Sequence, residues 1–189
     1  GSFTQRGEPA VVDKWSRARM ALAMGASLVI ELPFPYASAS AERFASGGVQ
    51  CLASTGVVGH LAFGSESGNL SDLTRIATLL VEEPPLFKAV LRDELDKGLS
   101  FPAARQLAVT AFLSQAGENA AMADLLGSAN NILAIEYLKA LARLDSVRIK
   151  PWTHLREGQG YNDSNPVSSG SSAYLASATS DRKSTRLNS

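Results

Sequence analysis

The feature that most restricts this sequence is an alternation between helical periodicity and short, continuous apolar runs. Val11, Trp15, Ala18 and Leu22 recur at spacings of four, three and four, which puts them on one helical face. Pro9 suits the entry to that helix and Gly25 a left-handed exit. Ser27-Leu28-Val29-Ile30-Glu31-Leu32 follows, stopped by Pro33. A continuous apolar run of that length reads as a strand buried on both faces, as in a parallel sheet. The pattern then repeats. Residues 39–54 are helical in character with Gly56 as the stop, 57–63 read as a second strand, and Ser71 is placed to cap a helix running through Leu80. Helix, strand, helix, strand, helix is the pattern of crossovers in a doubly wound α/β layer.

Residues 82–126 depart from that alternation and read as helix only. Pro84-Pro85 opens one helix ending near Gly98, and Pro102 opens another running to about Gln115. This stretch is expected to be a helical insertion. Asn130-Asn131 starts an amphipathic helix carrying Ile132, Ile135, Leu138 and Leu141. Residues 146–153 are β-like, with Val147 and Ile149 alternating against Arg148 and Lys150. Residues 158–172 have loop chemistry, rich in Gly, Ser, Asn and Pro. The last nine residues, 181–189, resemble the translation of a DNA-sequencing adapter and are expected to be a non-native tail, leaving 1–180 as one partial domain.

Composition narrows the function classes. Eighteen Lys and Arg balance eighteen Asp and Glu, so the chain as a whole does not attract a polyanion, and any nucleic-acid surface must be a local patch. The single cysteine, Cys51, excludes an internal disulfide and a thiolate metal cluster, fits a reducing cytoplasm, and reads as a small buried hydrophobe. No apolar run reaches membrane-spanning length, and the start has no signal-peptide layout and no initiator Met. His60 and His154 do not form a spaced pair, and no protein metal site is expected. G-x-S-x-G, Walker A and G-x-G-x-x-G patterns do not occur, which leaves serine hydrolase and P-loop readings without support.

Several segments have residues suited to binding. Gly64-Ser65-Glu66-Ser67-Gly68 lies between an expected strand and a helix, at the edge where open α/β sheets take ligands; it reads equally as a nucleotide-approach turn or an ordinary tight turn. Arg6 can clamp a phosphate or carboxylate, or sit in a solvated loop before a helix. Glu31 ends the first apolar run, where it can serve a site or a neighbouring helix. One asparagine of Asn130-Asn131 can cap its helix, and the second is surplus and can meet a ligand. Arg156, beside Glu157 after the third expected strand, suits a phosphate or a surface ion pair. Lys88, Arg92, Lys97 and Arg105 are interleaved with Asp93, Glu94 and Asp96, as on a solvated helix face.

Together these strings resemble the tRNA(Met) cytidine acetate ligases. The resemblance rests on Phe3-Thr4-Gln5-Arg6-Gly7-Glu8-Pro9-Ala10, Asp13-Lys14-Trp15, Leu28-Val29-Ile30-Glu31-Leu32-Pro33-Phe34-Pro35-Tyr36 and Phe63-Gly64-Ser65-Glu66-Ser67-Gly68. It continues through Ser100-Phe101-Pro102-Ala103-Ala104-Arg105, Asn130-Asn131-Ile132-Leu133 and Ala176-Ser177-Ala178-Thr179, in the family's order. It implies a Rossmann-like nucleotidyltransferase core of the HUP type, a parallel sheet with flanking helices whose first strand is missing here. It implies ATP as co-substrate with Mg²⁺, acetate and elongator tRNA(Met) as partners, and neither DNA nor membrane. Carried over by motif, Gly64, Asn130, Arg156 and Glu157 are the nucleotide contacts, with Arg6 and Glu31 as candidates for the acetate or phosphate region.

The chain departs from the family in lacking an N-P-F-H-N-G-H-like opening segment and in carrying Ala129, Ala134 and Asn162 within otherwise matching motifs. The S-A-T-x-x-R segment breaks off after Thr179, since Arg182 falls in the suspected tail. A fragment without ligase activity of its own is the expectation. A small-metabolite nucleotidylyltransferase of the same fold, and a nucleotide-binding module without catalysis, are the alternatives.

Overall fold

The computed structural model describes residues 9–144 and 149–155. The expected loop at 158–172 and tail at 181–189 lie outside them. Helix α1 (Lys14–Ala23) starts where Asp13 accepts hydrogen bonds from the backbone N–H groups of Trp15 and Ser16, at 2.9 and 3.0 Å. Gly25 ends it at φ +103°, the left-handed exit that the sequence predicts. No residue of α1 is buried, and Trp15 is 68% exposed. Its apolar face is therefore not a core face among the described residues.

The apolar run at 27–32 is not a strand. Leu28, Val29 and Ile30 are exposed, and no described segment pairs with them. Apolar character suits a residue to a sheet, but a strand exists only where a neighbour takes up its backbone N–H and C=O groups. The short helix α2 (Phe34–Ala37) follows, with Pro33 at its cap and Pro35 in its first turn. Helix α3 (Ala41–Ala53) then buries Ala45, Gly47, Gly48, Val49 and Leu52. Cys51, on the same helix, is half-buried rather than in the core. Gly56, at φ +70°, reverses the chain after α3.

The first strand among the described residues is β1 (His60–Ser65), three residues later at its start than the sequence suggests. It alternates cleanly: Leu61, Phe63 and Ser65 are buried, while His60, Ala62 and Gly64 face the other way. Helix α4 (Leu70–Glu82) is capped by Asn69, which accepts from the N–H groups of Ser71 and Asp72, so the cap lies two residues before the expected Ser71. Prolines open α5 (Pro85–Asp96) and α6 (Phe101–Gln115), and a 3₁₀ helix (Ala120–Gly127) leads to α7 (Ala129–Arg143). Strand β2 (Lys150–Leu155) runs parallel to β1, with His60 opposite Lys150 and Ser65 opposite Leu155. Its alignment begins at the Lys150 N–H, which donates to the Gly59 carbonyl at 2.9 Å.

One core joins these elements. Leu61 and Phe63 of β1 meet Leu73, Ile76 and Leu79 of α4 and Ile135 and Tyr137 of α7. Phe87 of α5 and Val109 and Leu113 of α6 belong to the same cluster. Each such side chain removed from water contributes roughly 1.5–3 kcal/mol before chain entropy is counted. Ion pairs fasten the outer layer. Arg143 of α7 reaches Glu42 of α3 at 2.9 Å, and Arg75 of α4 holds Glu118 through two hydrogen bonds of 2.8 and 2.6 Å. Among the described residues no helix is long and apolar enough to cross a membrane.

Candidate functional site

The carboxyl ends of β1 and β2 lie side by side, with Gly64 in register with His154. Backbone polar groups that leave a parallel sheet here must find new partners, and the residues after Gly64 are built to supply them. Ser65, fully buried, places its hydroxyl 2.9 Å from the Thr153 hydroxyl on β2 and accepts the Gly68 N–H at 3.0 Å. Gly68 sits at φ +62°, and a Cβ there would lie 3.1 Å from Cβ of Leu155. A glycine at this point serves both the turn and the close approach to β2.

Glu66 is the centre of the arrangement. One carboxylate oxygen accepts the Asn130 backbone N–H at 3.0 Å and the Asn130 side-chain amide at 2.9 Å. The other accepts the Asn131 N–H at 2.6 Å. In return, the Asn131 side-chain carbonyl accepts the Ser67 N–H at 3.1 Å, with Asn131 only 4% exposed. The turn after β1 and the first turn of α7 are thus joined by four hydrogen bonds, three of them to a carboxylate and stronger for it.

This corrects the capping role expected of the asparagines. Ser128 occupies the cap position of α7 with no side-chain bond, and both asparagines lie inside the first turn. The N–H groups that a local side chain usually satisfies are taken by Glu66 from the far end of the chain segment. The surplus asparagine holds the turn after β1 instead of standing open. Glu66 is the residue that the sequence did not single out. A carboxylate between two serines and two glycines was its only signal, and a capping partner so distant in sequence leaves no periodic trace.

The structure places Gly64 near the end of β1, just before Glu66, whose carboxylate holds Asn130. Glu31 lies on the exposed segment before Pro33, where Lys14 Nζ meets its carboxylate at 2.8 Å and holds its pKa below the usual glutamate range. Arg6, Arg156 and Glu157 lie outside the described residues, although Arg156 is bonded directly to the last residue of β2. Among the described residues no group of three or more His, Cys, Asp or Glu side chains could hold a metal ion.

A family model described as HIGH Nucleotidyl Transferase matches residues 1–189. The chain belongs to the HIGH nucleotidyltransferase family. This α/β family membership agrees with the parallel strand pair and its flanking helices. The chain is 50% identical over 183 residues to a tRNA(Met) cytidine acetate ligase of Acetivibrio thermocellus, covering 97% of this chain and 42% of that protein. It is 45% identical to the Clostridium acetobutylicum protein of the same name, with 97% and 46% covered. Two crystal structures from Thermotoga maritima are similar. TmcAL bound with alpha-thio ATP gives a TM-score of 0.80 at 43% identity, covering 84% of this chain and 38% of that one. The apo form gives 0.84 at 42% identity, covering 92% and 41%. The chain therefore spans less than half the length of these nucleotidyltransferase relatives.

Proposed function

We propose that the chain carries the adenine-nucleotide site of an ATP-dependent acetate ligase that forms N4-acetylcytidine at the wobble position of elongator tRNA(Met). The observation that carries this reading is the β1–β2 edge. Gly64 stands beside His154, and the turn that follows is fastened to α7 at the position where α/β sheets take ligands. The close relatives bearing the ligase name, and the Thermotoga maritima protein bound to an ATP analogue, support the choice of ligand.

The reaction asks little covalent work of the protein. An acetate oxygen attacks the α-phosphorus of ATP, whose bond to the β-phosphate oxygen breaks to release pyrophosphate. The cytidine N4 then attacks the acetyl carbonyl and AMP leaves. What a protein supplies is orientation of the two reactants and stabilisation of phosphate charge. In this reading the backbone at Gly64 and the amide of Asn130 receive the nucleoside. Arg156, with Glu157 beside it, meets the phosphates after β2. Arg6 and Glu31 serve the acetate or phosphate region, where Mg²⁺ would offset the phosphate charge. Residues 1–180 form one partial nucleotidyltransferase-like domain with 82–126 inserted, 181–189 are foreign to it, and the enzyme binds and processes tRNA in the cytoplasm.

The test is to complete the chain to the length of its relatives, with Thermotoga maritima sequence before Phe3 and after Thr179. The expected result is ATP consumption that depends on both acetate and tRNA(Met), with acetylcytidine detected in the tRNA by mass spectrometry. Sustained pyrophosphate release with no RNA present would overturn the reading in favour of a small-metabolite transferase. ATP binding without any turnover would overturn it in favour of a binding module. The 189-residue chain alone is expected to show no turnover.

A further inference from the structure

We propose that Glu66 is a positioning residue for the nucleotide, acting in two ways: it fixes the turn after Gly64 against α7, and it keeps phosphate away from the start of that helix. The inference rests on the nucleotide site proposed above. A helix of fifteen residues such as α7 ends in N–H groups that carry partial positive charge and ordinarily attract an anion. Here the anion is part of the protein. Both oxygens of Glu66 are engaged, by the N–H groups of Asn130 and Asn131 and by the Asn130 amide. A triphosphate brought to α7 would meet a carboxylate already seated there and be repelled by it.

The geometry accordingly assigns a direction to the bound nucleotide. Its nucleoside end can approach Gly64 and the first turn of α7, while its phosphates must lie away from α7, toward the end of β2. The same carboxylate sets the width of that approach. The Ser67 N–H is bonded to Asn131 and the Gly68 N–H to Ser65, and the Glu66 carboxylate supplies three of the four hydrogen bonds that join the turn to α7. Removing the carboxylate loosens the turn and opens the helix start in one step. These two effects act in opposite directions on two ligands. ATP binding weakens because the nucleoside cradle is no longer held, and inorganic phosphate binding strengthens because an anion site has appeared.

The experiment uses the completed enzyme, first unsubstituted and then as Glu66→Ala and Glu66→Gln. The substitution to Ala is expected to raise KM for ATP about tenfold, as for loss of a charge-assisted hydrogen-bond pair, with kcat changed by no more than about threefold. Inorganic phosphate is expected to inhibit Glu66→Ala more strongly than the unsubstituted enzyme, while Glu66→Gln, whose amide still blocks the helix start, gains no such sensitivity. Asn131→Ala, which cuts the Ser67 bond but leaves the carboxylate, is expected to raise KM for ATP without the phosphate effect, and it serves if Glu66→Ala does not fold. An unsubstituted enzyme that fails to bind ATP overturns the proposed function and this inference together. An enzyme that binds ATP, but in which Glu66→Ala lowers only Tm and kcat and leaves KM and phosphate inhibition unmoved, overturns this inference alone and makes Glu66 a structural cap.

Discussion

The rings of Phe63 on β1 and Tyr137 on α7 lie 5.8 Å apart, tilted by 31°, and pack strand against helix in the core. Tyr137 is 1% exposed, and its hydroxyl has no hydrogen-bond partner among the described residues. Burial pushes its pKa up, since the phenolate would be harder still to accommodate. Tyr137→Phe removes an unsatisfied polar atom and keeps the ring. It is expected to raise stability by about 0.5–1 kcal/mol, read as a higher urea midpoint with an unchanged slope.

Gly47 faces the ring of Tyr36, and a Cβ built there would collide with it. Alanine in a helix interior normally gains about 0.5–1 kcal/mol over glycine. At this position the overlap reverses the sign, and Gly47→Ala is expected to destabilise by about 1–2 kcal/mol. Pairing it with Tyr36→Ala should recover the helix-propensity gain in thermal melts, because the double substitution removes the obstacle.

Gly68 tests the turn after β1 directly. Alanine at φ +62° costs roughly 1–2 kcal/mol in backbone strain, and Leu155 must also yield by a few tenths of an ångström. Gly68→Ala is expected to lower Tm and to weaken ATP binding, measured by calorimetry on the completed enzyme. A loss of stability with unchanged ATP affinity would separate this turn from the nucleotide.

The Glu42 carboxylate has a pKa below its ordinary value of 4.5, first because it accepts a hydrogen bond from Arg143 and then through the charge of Lys139. A depressed pKa means the folded form binds its proton less readily than the unfolded chain. The contribution is therefore present above about pH 4.5 and is lost as pH falls through the lowered value. Glu42 is half exposed, and screening reduces the effect to about 0.5 kcal/mol. Glu42→Gln should be less stable than the parent at pH 7, by a margin that narrows as pH falls below about 4.5, in urea titrations across that range.

Much of this fold was legible because local rules decided it. Gly25 and Gly56 take the left-handed conformation expected of helix exits, and prolines open α5 and α6 as their positions predict. Leu61 and Phe63 announced β1 through apolar content alone. The same rule failed at Leu28–Ile30, because an apolar run does not name its partner and none of the described residues supplies one. The candidate site was half legible. Gly64 and Asn130 could be picked out from their places at a strand end and a helix start. Glu66 could not, since what gives it a role is a helix that the chain reaches only after three α-helices and a 3₁₀ helix.

That separation has a consequence for how the molecule assembles. Helices close over contacts within one or two turns, but pairing β1 with β2 closes the entire helical stretch between them. Bringing together ends so distant is slow, because the entropy of the intervening chain is lost before the ladder returns any energy. The alignment of Gly64 with His154 should be among the last events of folding. A defect in any intervening helix would then be felt first at the β1–β2 edge, in a chain whose helix content still looks native.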